Sequence, residues 1–193
     1  MNLLTLKDKG PTQKLVFAAI MACIAFLLNF IEIPFIVPYL RFDFSETIVI
    51  ITVMICGLRF GLMVSIIKAL LFYLFGANGS EIVGVSILLF SSCFLAIIYY
   101  LFYNLLSKLM KMNTAIVLTF IICAFIYAIA LTLLNYRITV PLYSGVSFDV
   151  INQPGYLWSI VSLYFPFNII KIAIIGVIVS IFSRIFFKDS QKQ

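Results

Sequence analysis

The chain has 193 residues, 64% hydrophobic and only 10% charged, with a mean hydropathy of +1.21 and a formal net charge of +6. A water-soluble domain of this size has no use for so much apolar surface, so the composition points to an all-α, polytopic membrane protein. Histidine is absent, and Cys23, Cys56, Cys93 and Cys123 stand singly in apolar runs, which argues against a zinc or other metal site, a disulfide framework and His-based catalysis.

Residues 1–13 form a polar, basic tail with Lys7 and Lys9. A first span is predicted over residues 14–30, where Ala18, Ala22 and Ala25 make a small-residue face. This stretch is too long for a cleavable signal and has no small-residue cleavage site. Residues 31–45 contain Pro34, Pro38, Tyr39, Arg41 and Asp43, and predict an ordered extended segment or short strand. Spans follow at 44–58 and 60–75, joined by a tight turn from Gly57 to Gly61, with Lys68 near the middle of the second of the two. Both are short, and a re-entrant hairpin is the alternative for the pair. After a break at 76–80 come a fourth span at 82–106, a linker carrying Lys108 and Lys111, and a fifth span at 114–136. Residues 137–157 read as the longest loop, with Pro141, Tyr143, Gly145, Asp149, Pro154 and Gly155. The sixth span is predicted at 166–187, with Pro166 in its first turn, where a missing N–H costs nothing. The chain thus reads as one six-helix transmembrane domain over 14–187, with short tails at 1–13 and 188–193.

Charge orients the set. With both termini on one side, that side holds Lys7, Lys9, Lys14, Arg59, Lys108, Lys111, Arg184, Lys188 and Lys192, against only Arg41 and Arg137 on the other. The positive-inside rule then makes both termini cytoplasmic. Orientation accounts for the basic net charge, and no nucleic-acid partner is needed to explain it.

Polar residues in the spans are not scattered. Asn135 ends the fifth span, and Asn168 and Lys171 begin the sixth, three apart and therefore on one helix face. Counted from Pro166, Lys171 would lie about 7–8 Å inside its helix. An amide and an ammonium are expensive in lipid, so they face a protein interior or a cavity. The alternative is a snorkelling lysine with Asn168 as helix–helix glue. Tyr39, Arg41, Phe42, Asp43 and Glu46 fall on the same outer side, and Lys68 lies deeper. Together they describe an outward-opening pocket with a few directed polar groups. Asn offers a donor and an acceptor, and Lys donates, which suits a heterocycle with an amide-like edge. A proton relay is disfavoured because no carboxylate is expected in the core of a span. There is no GxxxxGK[ST], HExxH or Ser/His/Asp set, so neither P-loop ATP binding nor enzymatic catalysis is expected. The chain is also small for a self-sufficient secondary transporter and has no inverted repeats.

Three stretches carry a family resemblance: Pro38-Tyr-Leu-Arg-Phe-Asp-Phe-Ser-Glu46; Leu134-Asn-Tyr136 with Pro141-Leu-Tyr143; and Pro166-Phe-Asn-Ile-Ile-Lys171. With Lys68-Ala-Leu-Leu-Phe-Tyr-Leu-Phe75, they resemble the riboflavin-type substrate-binding (S) components of energy-coupling factor (ECF) vitamin transporters over about residues 14–187. The resemblance implies six helices in a bacterial-type cell membrane and a first loop lying over an outward pocket. It implies riboflavin as transported ligand, no cofactor, and docking onto one coupling transmembrane protein and two ABC-type ATPases. It assigns Asn135, Asn168 and Lys171 to the flavin's polar edge, with Phe42, Tyr39 or Tyr143 covering the ring. Asp43 would meet the ribityl hydroxyls, and Lys68 would reach the ligand from below. Ala18 and Ala22, continued by Ala25, match the small-residue pattern that meets the coupling protein. The chain departs from the family at Val85–Ser92 and at Ala69 and Phe72, where polar or small residues are expected. Thiamine, folate or flavin phosphate as ligand, or a non-transport scaffold role, are the alternatives.

Overall fold

The computed structural model describes residues 10–31, 33–35, 37–76, 82–145, 150 and 152–187, with side chains except at 34, 35, 37–41, 143 and 144. Helix α1 (Pro11–Asn29) leads into strands β1 (Ile33–Phe35) and β2 (Val37–Phe42). Then come α2 (Ser45–Cys56), α3 (Leu58–Phe75), α4 (Ile82–Leu106) and α5 (Met112–Leu134). A π-helical turn (Asn135–Thr139) and the short α6 (Val140–Ser144) prolong α5, and α7 (Pro154–Phe186) closes the chain. Five of these helices are long and apolar enough to cross a membrane. The sixth, α2, has 12 residues and rises about 18 Å, short of a ~30 Å hydrocarbon core. Large apolar side chains such as Val16, Leu70, Leu101, Phe125 and Val177 are exposed all round the bundle, as a lipid-facing surface requires. The core joins Val49 and Ile50 of α2, Leu95 and Tyr99 of α4, Ile116 and Tyr127 of α5, and Ile172 and Ile175 of α7.

The extended segment expected after α1 is an antiparallel hairpin, pairing Ile33 with Phe42 and Pro34 with Arg41, with an irregularity between Pro34 and Phe35. The turn expected over 57–61 shrinks to Gly57, whose φ of 93° is a conformation that side-chain-bearing residues rarely adopt. Gly61 is instead a packing residue of α3, because a Cβ there would run into Val53 of α2.

α1 lies against α2 and α3, and Ala18, Ala22 and Ala25 are 0–1% exposed. The small-residue face expected to meet a coupling protein is therefore filled by the chain's own helices. The outward side of α1 carries Ala19 and Cys23.

Two boundaries differ from the sequence reading. The last helix begins at Pro154 in its first turn, with Pro166 inside it. Lys171 therefore lies about 25 Å along the helix, not 7–8 Å. Residues 154–165 continue the helical apolar pattern backwards, and Pro166 removes one backbone bond, to the Ser162 carbonyl, which a transmembrane helix tolerates. The loop expected at 137–157 is helical to Ser144, with Pro141 in the first turn of α6 and Gly145 ending it at φ 63°. Asp149 and the tails at 1–9 and 188–193 lie outside the described residues.

Candidate ligand-binding site

The early start of α7 builds the site. Tyr156, Ile160, Leu163, Tyr164, Phe167, Asn168 and Lys171 recur at intervals of three and four, so they line one helix face. Facing them on α5 and the π turn are Tyr127, Leu131, Asn135 and Thr139, each four residues from the last. In the π turn the Val140 N–H bonds to the Asn135 carbonyl, five residues back. Such a wide turn in an otherwise regular helix recurs at functional sites. Gly84, Ile87 and Ser91 of α4 complete the wall. They enclose a cavity of about 870 Å³, within the roughly 300–1,000 Å³ of small-molecule sites. No residue of α1, α2 or α3 lines it.

The lining is mostly apolar and aromatic, with a few polar groups that have bonding capacity to spare. Asn168 is 4% exposed, and its Nδ2 has no partner among the described residues. The Thr139 Oγ1 is in the same condition. Asn135 donates its Nδ2 to the Leu131 carbonyl at 2.7 Å, which leaves its amide oxygen as the group able to accept from a ligand. At the rim the Tyr136 hydroxyl donates to Asn152 Oδ1 at 2.8 Å, and the Arg137 guanidinium sits 5.2 Å from the Tyr136 ring centre.

Lys171 stands at the edge of a buried charge network. Its Nζ lies 3.1 Å from Asp43 Oδ2 and 3.1 Å from Glu46 Oε2. The Ser91 hydroxyl donates to Glu46 Oε1 at 3.4 Å. Lys68 donates to Ser45 Oγ at 2.6 Å, while the Ser45 backbone N–H (2.9 Å) and hydroxyl both donate to Asp43 Oδ1. Two ammonium groups thus face two carboxylates, and the cluster joins the end of the hairpin to α2, α3, α4 and α7. Burial opposes ionisation of Asp43, but the charges of Lys171 and Lys68 outweigh it and hold its carboxyl well below the usual carboxylate range.

Asn135, Asn168 and Lys171, expected together, share the cavity wall. Phe42 is buried edge-on against Phe44, 4.7 Å between ring centres, and packs on Phe167. It borders a separate void of about 130 Å³ whose lining includes Phe167 and Lys171. Asp43 is engaged by Lys171, and Lys68, with no exposure, by Ser45. Neither Asp43 nor Lys68 lines the cavity. Tyr39 falls in β2 and Tyr143 in α6, with side chains outside the description. Glu46, expected on the outer side beside Asp43, is wholly buried in the first turn of α2. Sequence reasoning also passed over Thr139, Ser91, Tyr156 and Tyr164. The regular spacing from Tyr156 to Lys171 was the signal that could have found the α7 members.

Residues 13–183 match the family model described as ECF transporter, substrate-specific component. The chain is 34% identical over 173 residues to the riboflavin transporter RibU of Staphylococcus aureus (strain TCH60), covering 88% of this chain and 85% of that one. It is 28% identical over 179 residues to the riboflavin transporter FmnP of Bacillus subtilis (strain 168), covering 91% of each. Its fold matches a solved S component of a bacterial ECF transporter with a TM-score of 0.75 at 28% identity, covering 94% of this chain and 99% of the other.

Proposed function

The chain belongs to the ECF transporter substrate-specific component family, and we propose that riboflavin is its substrate. The relatives RibU and FmnP are both riboflavin transporters, and they align along most of this chain. The observation that carries the reading is the cavity of about 870 Å³ in which a buried Asn168 Nδ2 and Thr139 Oγ1 have no partner among the described residues. Riboflavin is flat and uncharged, with a uracil-like edge and a polyol tail. Asn168 supplies a donor to a ring carbonyl, and the Asn135 oxygen accepts from a ring N–H. Lys171 donates a hydrogen bond to Asp43 and keeps donor capacity for a ligand. Because Asp43 and Glu46 already balance its charge, it asks for no anionic ligand. Tyr156, Tyr164 and Phe167 offer aromatic surface to the ring. Tyr39 and Tyr143 are proposed to cover it, with Phe42 behind Phe167 and Asp43 and Lys68 holding Lys171 and the hairpin in place.

This multi-pass membrane protein captures substrate in an outward-facing cavity, with both termini cytoplasmic, and relies on a coupling membrane protein and two ATPases for energy. Since Ala18, Ala22 and Ala25 are enclosed, the coupling contact of α1 falls to its outward side, at Ala19 and Cys23. Protein purified in detergent from cells grown with riboflavin should be yellow and should quench flavin fluorescence. A colourless preparation that fails to quench at micromolar riboflavin would overturn the reading. Displacement of flavin by thiamine or folate would instead assign a different vitamin.

A further inference from the structure

A second hollow lies outside the ligand cavity, on the lipid-facing seam between α5 and α7. It has a volume of about 500 Å³ and is open along one side. Phe120 and Ala124 of α5 and Ala173, Gly176 and Ser180 of α7 line it, and Arg184 lies at one end. Its shape follows from residue size. Ala124, Ala173 and Gly176 are too small to fill the seam, and Gly176 has to stay small because a Cβ there would lie 2.8 Å from the Phe120 ring. From Ile169 to Arg184 the groove runs roughly 22 Å along α7. One leaflet of a bilayer core is about 15 Å deep, so the groove is long enough for an acyl chain descending from the headgroup level.

Charge decides what sits at its mouth. Arg184 is exposed in the last turn of α7, and no carboxylate pairs with it among the described residues. Lys111 caps the start of α5, which runs antiparallel to α7, and Lys108 lies in the linker just before it, so both lie at the same end of the bundle as Arg184. The described carboxylates, Asp43 and Glu46, lie at the other end, beneath the hairpin. A basic mouth over an apolar groove between two spans complements an anionic headgroup carrying a fatty chain.

We infer that the α5–α7 groove binds one anionic phospholipid, with an acyl chain along Ala124, Ala173 and Gly176 and the headgroup phosphate at Arg184. The inference concerns a surface separate from the ligand cavity and stands whatever the transported substrate is. A zwitterionic lipid carries its own cation beside the phosphate and gains less from the basic mouth.

Native mass spectrometry of the full chain, delipidated in detergent and titrated with phosphatidylglycerol or phosphatidylcholine, tests the site. One phosphatidylglycerol should survive activation that strips phosphatidylcholine. Arg184→Gln should weaken that preference roughly fivefold, the effect of one basic residue at a membrane surface. Ala173→Phe, at an exposed position that the added ring would fill, should abolish retention of either lipid. Monodisperse elution and an unchanged unfolding midpoint establish that both variants fold. Equal retention of the two lipids, or phosphatidylglycerol retention unchanged in either variant, overturns the inference. So does displacement of phosphatidylglycerol by millimolar inorganic phosphate, which would make the mouth an anion site without a lipid.

Discussion

Helices α1–α3 handle their interior in the opposite way to α4, α5 and α7. α1, α2 and α3 close on one another through small residues, with Ala18, Ala22 and Ala25 enclosed and Gly61 pressed against Val53. α4, α5 and α7 leave between them a cavity of about 870 Å³ lined in part by tyrosines and amides, although α5 and α7 pack closely where Gly176 meets Phe120. The two halves meet at Lys171, on the cavity wall of the second half but paired with Asp43 and Glu46 of the first. Helices α1–α3 thus supply no lining to the cavity, but Glu46 of α2, with Asp43 just before it, balances the charge of the lysine that does line it.

Breaking that joint should have the largest effect. Lys171→Met leaves two buried carboxylates facing Lys68 alone, and loss of one partner of a buried pair costs about 3–5 kcal/mol. Thermal unfolding in detergent should show a much lower midpoint. Adding Glu46→Gln, which leaves Lys68 facing Asp43 alone, should restore much of the stability without restoring flavin binding. A single variant as stable as the parent would mean that the network does not hold the halves together.

Next comes damage confined to the packed half. Ala22→Trp overfills the α1–α2–α3 contact, at a cost of about 1–3 kcal/mol or more. The unfolding midpoint should fall while the folded fraction keeps its flavin affinity. An undisturbed midpoint would show that the α1 face is free to receive a partner after all.

Damage confined to the cavity should show the reverse pattern. Asn168→Ala removes an Nδ2 that bonds to nothing in the described protein, so the midpoint should hold. Flavin titration should show at least a tenfold loss of affinity, about 1.4 kcal/mol. A folding defect without a binding defect would return Asn168 to a role as helix glue.

The smallest effect expected is that of pH. Asp43 has a folded-state pKa below its unfolded value of about 3.9. Its contribution is therefore complete above that value and is lost only as the pH falls through the lowered one. Affinity and stability should stay level from about pH 8 to about pH 5. A midpoint near pH 6 in either would show that another group governs the joint.

Much of this was legible in residue types. Asn135, Asn168 and Lys171 stood out because lipid penalises amides and ammonium groups, and the structure brings all three to one wall. The prolines of residues 31–45 correctly announced extended chain. Pro166 misled, because a proline reads equally as a first turn or as an interior residue whose lost bond the membrane helix tolerates; only the helix itself distinguished the two. The start at Pro154 brought Tyr156 and Tyr164 into the site. The pairing of Glu46 was hidden for a different reason. Its partner Lys171 is far along the chain, and no local pattern records an ion pair formed at such separation. Ala18, Ala22 and Ala25 were ambiguous in kind, since a small-residue face serves a neighbouring helix of the same chain as well as a separate protein.

Composition alone determined that this is a helical membrane protein. The penalty for polar groups in lipid determined which residues had to face inward, because those costs belong to each residue wherever it sits. Only the tertiary structure decided which half of the bundle opens into a cavity and which acids balance Lys171. It also decided that the alanine face of α1 turns inward. Those outcomes depend on how whole helices share space, and no single segment carries that information.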